Sequence, residues 1–342
     1  MNLQIVYIGI LFSIFSCNSN QDTIAQRPAI KEPVVANFDI KGVNYVATNS
    51  PINIDNIIPL ANINCGWISQ VPFAFCKLNS PTVRFDPVNS WWGESDLGIT
   101  TTTNLAKSRG IKTMMKPQLW VMGSYTGVFT LSSESDWLIW ENDYRNYILH
   151  FATLSETLGI EMFCIGTEMK LVVQNRPAFW NDLIDRVRKV YRGKLIYAAN
   201  WDEYLQVPFW DKLDYIGIDA YFPVSNSITP TVDEVVTNWN AHINKINQLR
   251  NTFSKNVIFT EIGYKSVDKT TFEPWNPTST NLNFQAQTNA YQGFFEAFAN
   301  KSWFKGAFLW KWYPKNETSG GLGNEDYTPQ NKPVEALIKK CF

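Results

Sequence analysis

Histidine is nearly missing from this chain: its 342 residues contain only His150 and His242. Both fall in segments of helical periodicity. That scarcity excludes a histidine-based metal centre and any Ser-His or Cys-His nucleophile, since each needs an imidazole beside its partner. For an ion it leaves only oxygen ligands, and no cofactor is implied. Charge is also sparse, at 18% of residues with a net charge of −1, and no long basic run occurs. Nucleic acid is excluded as a partner, because clustered Lys and Arg must neutralise phosphates. Five cysteines form no C-x-x-C. No apolar run is long enough to cross a bilayer, no Gly-rich phosphate fingerprint follows the first strand-like segment, and no internal repeat is visible. What is abundant is aromatic surface: 14 Trp, 14 Tyr and 22 Phe. So many Trp exceed ordinary packing needs and suit the C–H faces of sugars, while 45% apolar residues suffice for a large core.

The N-terminus reads as an export signal. Residues 5–14 are an apolar run ending at Phe15-Ser16-Cys17, followed by polar Asn18-Ser19-Asn20-Gln21-Asp22. This resembles a bacterial lipoprotein cleavage site, although no Lys or Arg precedes the run and Phe15 stands where a small residue is usual. The expected organisation is a signal peptide over 1–17 ending at a lipidated Cys17, a flexible tether over 18–36 containing Pro28 and Pro33, and one domain over 37–342. The expected location is the bacterial cell envelope, at the outer membrane or cell surface, with the membrane as partner through the lipid anchor. In an exported protein Cys65 and Cys76 are candidates to close a short loop, and Cys341 to pair or stay free. Cys164 lies in an apolar strand and is expected to be buried.

Apolar β-rich runs alternate with helical stretches from there on. Strands are expected over 40–46, 82–85, 112–119, 162–166, 195–200, 215–220, 257–262 and 307–312. Several are continuously apolar, as parallel strands covered on both sides are. Helical spacing links Phe179, Trp180, Leu183, Ile184 and Val187. It also links Val232, Val235, Val236, Trp239, Ile243 and Ile246, and again Ala290, Tyr291, Phe294, Phe295 and Phe298. Eight such units fit one (β/α)8 barrel, which takes about 250 residues, better than an open doubly wound sheet. Two long inserts, 120–140 and 266–283, follow strands and so belong on the C-terminal face, where barrel active sites lie.

Two of the predicted strands end in glutamate. Phe163-Cys164-Ile165-Gly166-Thr167-Glu168 closes the fourth, and Val257-Ile258-Phe259-Thr260-Glu261 the seventh. Across a barrel mouth these ends face one another, and a carboxyl pair is what glycosidic cleavage needs. Single strand-end carboxylates often form salt bridges or caps; two flanked by aromatic-rich segments favour chemistry. Tyr221 suits a hydrogen bond to Glu261, or a place at the core edge. Arg84 suits the same carboxylate, or a bridge to Asp86 or Asp219. Gln118 and Asn200 carry amides fit for sugar hydroxyls or for loop capping. Trp310 is the first choice as platform beneath the reacting sugar, with Trp91, Trp92, Trp120, Trp201 and Trp275 as further candidates. Asp202, Glu203 and Asp219 are rival carboxylates on the same face.

The segments Lys116-Pro117-Gln118-Leu119-Trp120, Ile165-Gly166-Thr167-Glu168, Ala198-Ala199-Asn200-Trp201-Asp202, Tyr215 to Pro223 and Phe259-Thr260-Glu261-Ile262-Gly263-Tyr264 resemble glycoside hydrolase family 113, in order, over about residues 38–340. The resemblance implies a retaining β-1,4-mannanase with Glu168 as acid/base and Glu261 as nucleophile, acting on β-mannan or glucomannan; a monomer is expected. One departure from the wider clan is Thr167 before the acid/base, where Asn is usual. The alternatives are an exo-acting or otherwise specific β-glycosidase on the same scaffold, and a non-catalytic surface glycan-binding lipoprotein. A binder has no need of both glutamates.

Overall fold

Eight parallel strands close into a barrel in the computed structural model, which describes residues 33–342. The signal segment, Cys17 and most of the expected tether lie outside these residues. The strands are β1 Ile40–Tyr45, β2 Trp67–Gln70, β3 Phe73–Lys77, β4 Lys112–Met115, β5 Gln118–Met122, β6 Met162–Thr167, β7 Lys194–Asn200, β8 Tyr215–Asp219, β9 Asn256–Ile262 and β10 Phe304–Trp312. The barrel order is β1, β2, β4, β6, β7, β8, β9 and β10, closing back onto β1. β3 and β5 form a separate two-stranded parallel sheet. Glu168 and Glu261 therefore do close the fourth and seventh barrel strands.

The helices are α1 Ile58–Asn62, α2 Asp96–Lys107, α3 Glu134–Leu158, α4 Lys170–Asn175, α5 Pro177–Val190, α6 Val232–Phe253, α7 Phe284–Phe298 and α8 Pro333–Cys341. The longer ones start at side-chain caps: Ser133 accepts from the Asp136 N–H, Thr231 from Glu234 and Asn283 from Ala286. The expected apolar stripes of α5 and α7 are buried, as are Val235, Trp239, Ile243 and Ile246 of α6. Strand alternation then divides the core in two. Ile40, Met114, Met162, Cys164, Ile196, Ala198, Ile258 and Phe308 fill the barrel interior. Intervening residues such as Phe163, Leu195, Tyr197 and Phe259 pack outward against the helices. Ala36 is already docked, its N–H donating to Cys341 O at 3.0 Å.

Three expectations need correction. Residues 82–85 are not the second barrel strand. Arg84 lies in an exposed loop and makes only an antiparallel bridge to Phe75. The second strand is Trp-Ile-Ser-Gln at 67–70, short and mixed in polarity, with Gln70 buried and donating to Thr103 Oγ1 at 2.8 Å. The run 112–119 is not one strand either. It breaks at Lys116-Pro117, and the preceding strand breaks at Val71-Pro72, because proline has no N–H to donate to a ladder. Both chains resume beyond their prolines as the outer β3–β5 sheet. Finally, Cys65 and Cys76 are unpaired, as are Cys164 and Cys341, and all four are buried. Cys65 precedes β2 and Cys76 lies in β3 beyond the end of β2, so an extended chain separates them by far more than the ~7 Å Cα limit of a disulfide. Burial pushes both thiols up to about 12, which makes them poor nucleophiles.

Candidate active site

β9 reaches the barrel mouth through a bulge. Phe259 pairs with Ile218 but Glu261 pairs with Asp219, leaving Thr260 as an extra residue. Ile258 faces the barrel interior and Phe259 the helices, and after the bulge Thr260 and Glu261 both turn inward. Thr260 Oγ1 donates to Asp219 Oδ1 at 2.7 Å, and its carbonyl accepts from Asn44 Nδ2 at 3.1 Å. Glu261 meets three donors. Lys116 Nζ pairs with Oε1, Gln118 Nε2 donates to Oε1 at 3.0 Å, and Tyr221 Oη donates to Oε2 at 2.7 Å.

Lys116 is wholly buried, held between Glu261 and Asp219 at 3.3 Å. Burial alone lowers the proton affinity of an ammonium; here the charges of Asp219 and Glu261 outweigh it and raise that affinity. Burial, then the Glu261 charge, push Asp219 up to about 7.

β6 uses the same device. Cys164 pairs with Ile196 and Thr167 with Ala198, so one residue is extra. Ile165 and Gly166 both face outward, and a Cβ on Gly166 would lie 2.7 Å from the buried Trp180 ring. Thr167 consequently turns inward, and Glu168 follows in left-handed backbone at φ 53°. For a glutamate this is a strained conformation, of the kind that gathers at functional sites. Its N–H donates to Ala198 O at 2.8 Å. The next N–H, of Met169, donates to Tyr197 Oη at 2.7 Å, and Tyr197 Oη donates to Glu203 Oε1 at 3.0 Å. No described side chain donates to the Glu168 carboxyl. Burial, then the charges of Asp219 and Glu261, raise it well above the ordinary glutamate range.

Both carboxyls line one cavity of about 690 Å³, within the usual size of a ligand site. Gln118, Asn200, Trp201, Tyr221 and Trp310 line it too, with Thr167, Asp202, Tyr125, Trp275 and Tyr327. Trp201 and Trp275 stack at 5.0 Å on the rim. Tyr327 Oη donates to Pro274 O at 2.6 Å and so braces the Trp275 loop. Asn200 Nδ2 donates to Tyr125 Oη at 2.7 Å, tying the 120–140 insert to the end of β7. Gly263 leaves room for the Trp310 backbone, whose oxygen would sit 2.7 Å from an added Cβ.

Arg84 is not among the lining residues and makes no contact with Glu261; the cation there is Lys116. Trp120 lies outside the cavity on β5, its ring against Phe73. The rival carboxylates are otherwise engaged. Asp219 is buried beneath Glu261, Asp202 pairs with Lys170 at 3.0 Å, and buried Glu203 is pushed up to about 8. Sequence reasoning missed Lys116, Tyr125 and Tyr327. Lys116 had a legible signal: a lone lysine after apolar Met114-Met115, in a strand bound for burial, requires a carboxylate partner. Among the described residues, no three His, Cys, Asp or Glu side chains gather to hold a metal.

The architecture has known counterparts. The β-mannanase of Alicyclobacillus acidocaldarius, solved in complex with ManMIm, superimposes with a TM-score of 0.77 at 24% identity, over 89% of this chain and 96% of that one. A second structure, a complex of a family 113 β-1,4-mannanase, gives 0.75 at 26% identity over 88% and 97%. The barrel of Faecalibacterium prausnitzii β-glucuronidase shares the fold alone, at TM-score 0.58 and 12% identity over 89% of this chain and 49% of that one. Among curated proteins, none matches the chain. The sequence profile of Glycoside Hydrolase Family 113 matches residues 51–332, and the chain, a glycoside hydrolase, belongs to that family.

Proposed function

We propose that this protein is a retaining endo-β-1,4-mannanase in which Glu261 is the nucleophile and Glu168 the acid/base. The observation that carries the assignment is the unequal treatment of the two carboxyls. Glu261 receives Lys116, Gln118 and Tyr221, which fix its orientation and balance an anion. Glu168 receives no donor and is held towards its protonated form. Two carboxyls with opposed environments in one cavity suit the two roles of glycosidic cleavage. In the first step Glu168 gives its proton to the departing glycosidic oxygen while a Glu261 oxygen bonds to the anomeric carbon. In the second, Glu168 takes a proton from water, whose oxygen displaces Glu261 with net retention. Trp310 supports the reacting sugar, and Asn200 offers amide contacts to its hydroxyls.

The choice of mannan rests on membership of family 113 and on the β-1,4-mannanase structure at 26% identity. The test is to incubate residues 33–342 with mannan, glucomannan, xylan and cellulose and to size the products. Short manno-oligosaccharides from mannan or glucomannan are expected; cleavage of none of the four glycans overturns the proposal. For location, the apolar run and Cys17 support export and lipid anchoring. In a bacterial host the full chain should incorporate labelled palmitate, and Cys17→Ser should not.

A further inference from the structure

The two-stranded β3–β5 sheet carries exposed apolar side chains beside the cavity, which Gln118 of β5 lines. Alternation divides its residues cleanly. Ala74, Cys76, Leu119 and Val121 are buried, whereas Phe75, Trp120 and Met122 are 45, 55 and 51% exposed. Strand register pairs Phe73 with Gln118, Phe75 with Trp120, and Lys77 with Met122. The outward face is thus three successive rungs, spanning about 13 Å from first to third at the usual strand rise. The first rung begins inside the cavity, for Gln118 lines it and donates to Glu261. Phe73 contacts both Phe75 and Trp120, at ring separations of 6.4 and 6.0 Å, so the aromatic surface is continuous. Contiguous exposed aromatics of this kind mark binding surfaces.

We propose that this face extends the substrate cleft, with Phe75 and Trp120 stacking on hexosyl units of the same polysaccharide chain beyond the cavity. The inference rests on the glycanase reading above and adds to it where the longer substrate runs. Continuity with Gln118 selects the occupant: a chain whose reacting unit sits over Glu261 meets this strip on leaving the cavity. The flat aromatic faces match the axial C–H surfaces of pyranose rings, and Lys77 at the outer end offers a donor to hydroxyls.

The test is the double variant Phe75→Ala/Trp120→Ala, compared with the parent on manno-oligosaccharides of increasing length and on mannan. The expected result is a loss in kcat/KM on long chains about ten-fold larger than on the shortest cleaved substrate. An equal loss at every length, or none at any, overturns the proposal. Retardation of Glu261→Gln protein in gels containing mannan supplies a readout independent of turnover. There the added Phe75→Ala/Trp120→Ala pair should reduce retardation, even if wild-type protein cleaves nothing and the glycanase reading has failed. Retardation unchanged by the pair, with loss instead of binding to phosphatidylethanolamine–phosphatidylglycerol vesicles, would assign the face to a membrane and overturn the proposal.

Discussion

At the end of β9 the extra residue turns Glu261 towards Lys116, Gln118 and Tyr221. At the end of β6 the extra residue turns Glu168 into a cavity wall where no described side chain donates to it. The backbone device is the same, a one-residue bulge that changes the face on which the last side chain lands. The surroundings differ. β9 lies across from a buried lysine, whereas the β6 terminus is held by backbone hydrogen bonds, to Ala198 O and to Tyr197 Oη, that position Glu168 without touching its carboxyl. Bulges thus set direction, while the surroundings give Glu261 three donors and bury Glu168 without one.

That contrast breaks most visibly when each carboxyl is removed. Glu261→Ala is expected to lower kcat/KM on mannan by at least about 10⁴-fold, with azide restoring turnover to the inverted glycosyl azide. Glu168→Ala is expected to cost about 10²–10⁴-fold on mannan and far less on an aryl mannoside, whose phenolate leaves without a proton. Its azide product should keep the substrate configuration. The opposite pair of products would reverse the two roles.

A smaller effect sharpens the comparison on the β9 side. Tyr221→Phe deletes one of three donors to Glu261, and hydrogen bonds to charged groups suggest roughly 10–100-fold in kcat/KM. Unchanged kinetics would leave the orientation of Glu261 to Lys116 and Gln118.

The smallest effect is on stability. Folded Glu168 holds its proton more tightly than the unfolded chain does, so raising the pH through the interval above the ordinary glutamate range costs folding free energy. Glu168→Gln has no such proton to lose. Its melting temperature relative to the parent should therefore climb as pH rises from about 4. A difference that does not vary with pH would show that the cavity leaves this carboxyl unperturbed.

Much of this site was legible because parallel strands are apolar until they end, so Glu168, Glu261 and Tyr221 stood out at their termini. Trp310 was found the same way. The bulges were not legible, since Ile165-Gly166 and Thr260-Glu261 look like any two residues of a strand. The second strand was hidden by polarity: Ser69 faces the barrel interior and Gln70 faces α2, where it donates to Thr103, while the more β-like 82–85 packs only as a bridged loop. With that strand went the placement of Arg84. Lys116 was overlooked because it lay inside the run read as one strand over 112–119, and only the closed barrel brings Asp219 and Glu261 to it.

Pro72 and Pro117 carry a consequence for how such an enzyme is altered. Each stops a barrel strand from donating its next ladder bond, so the outer sheet pairs apart from the barrel wall, while Ala74, Cys76, Leu119 and Val121 on its inner face pack into the main core. Residues 73–77 and 118–122 have their own pairing, and the barrel closes without them. Apart from Gln118, whose amide still reaches Glu261, the outward side chains Phe75, Trp120, Lys77 and Met122 make no hydrogen bond or ion pair to the carboxyl pair. On the reading proposed above, hold on a long glycan and the cutting of it thereby fall to different side chains.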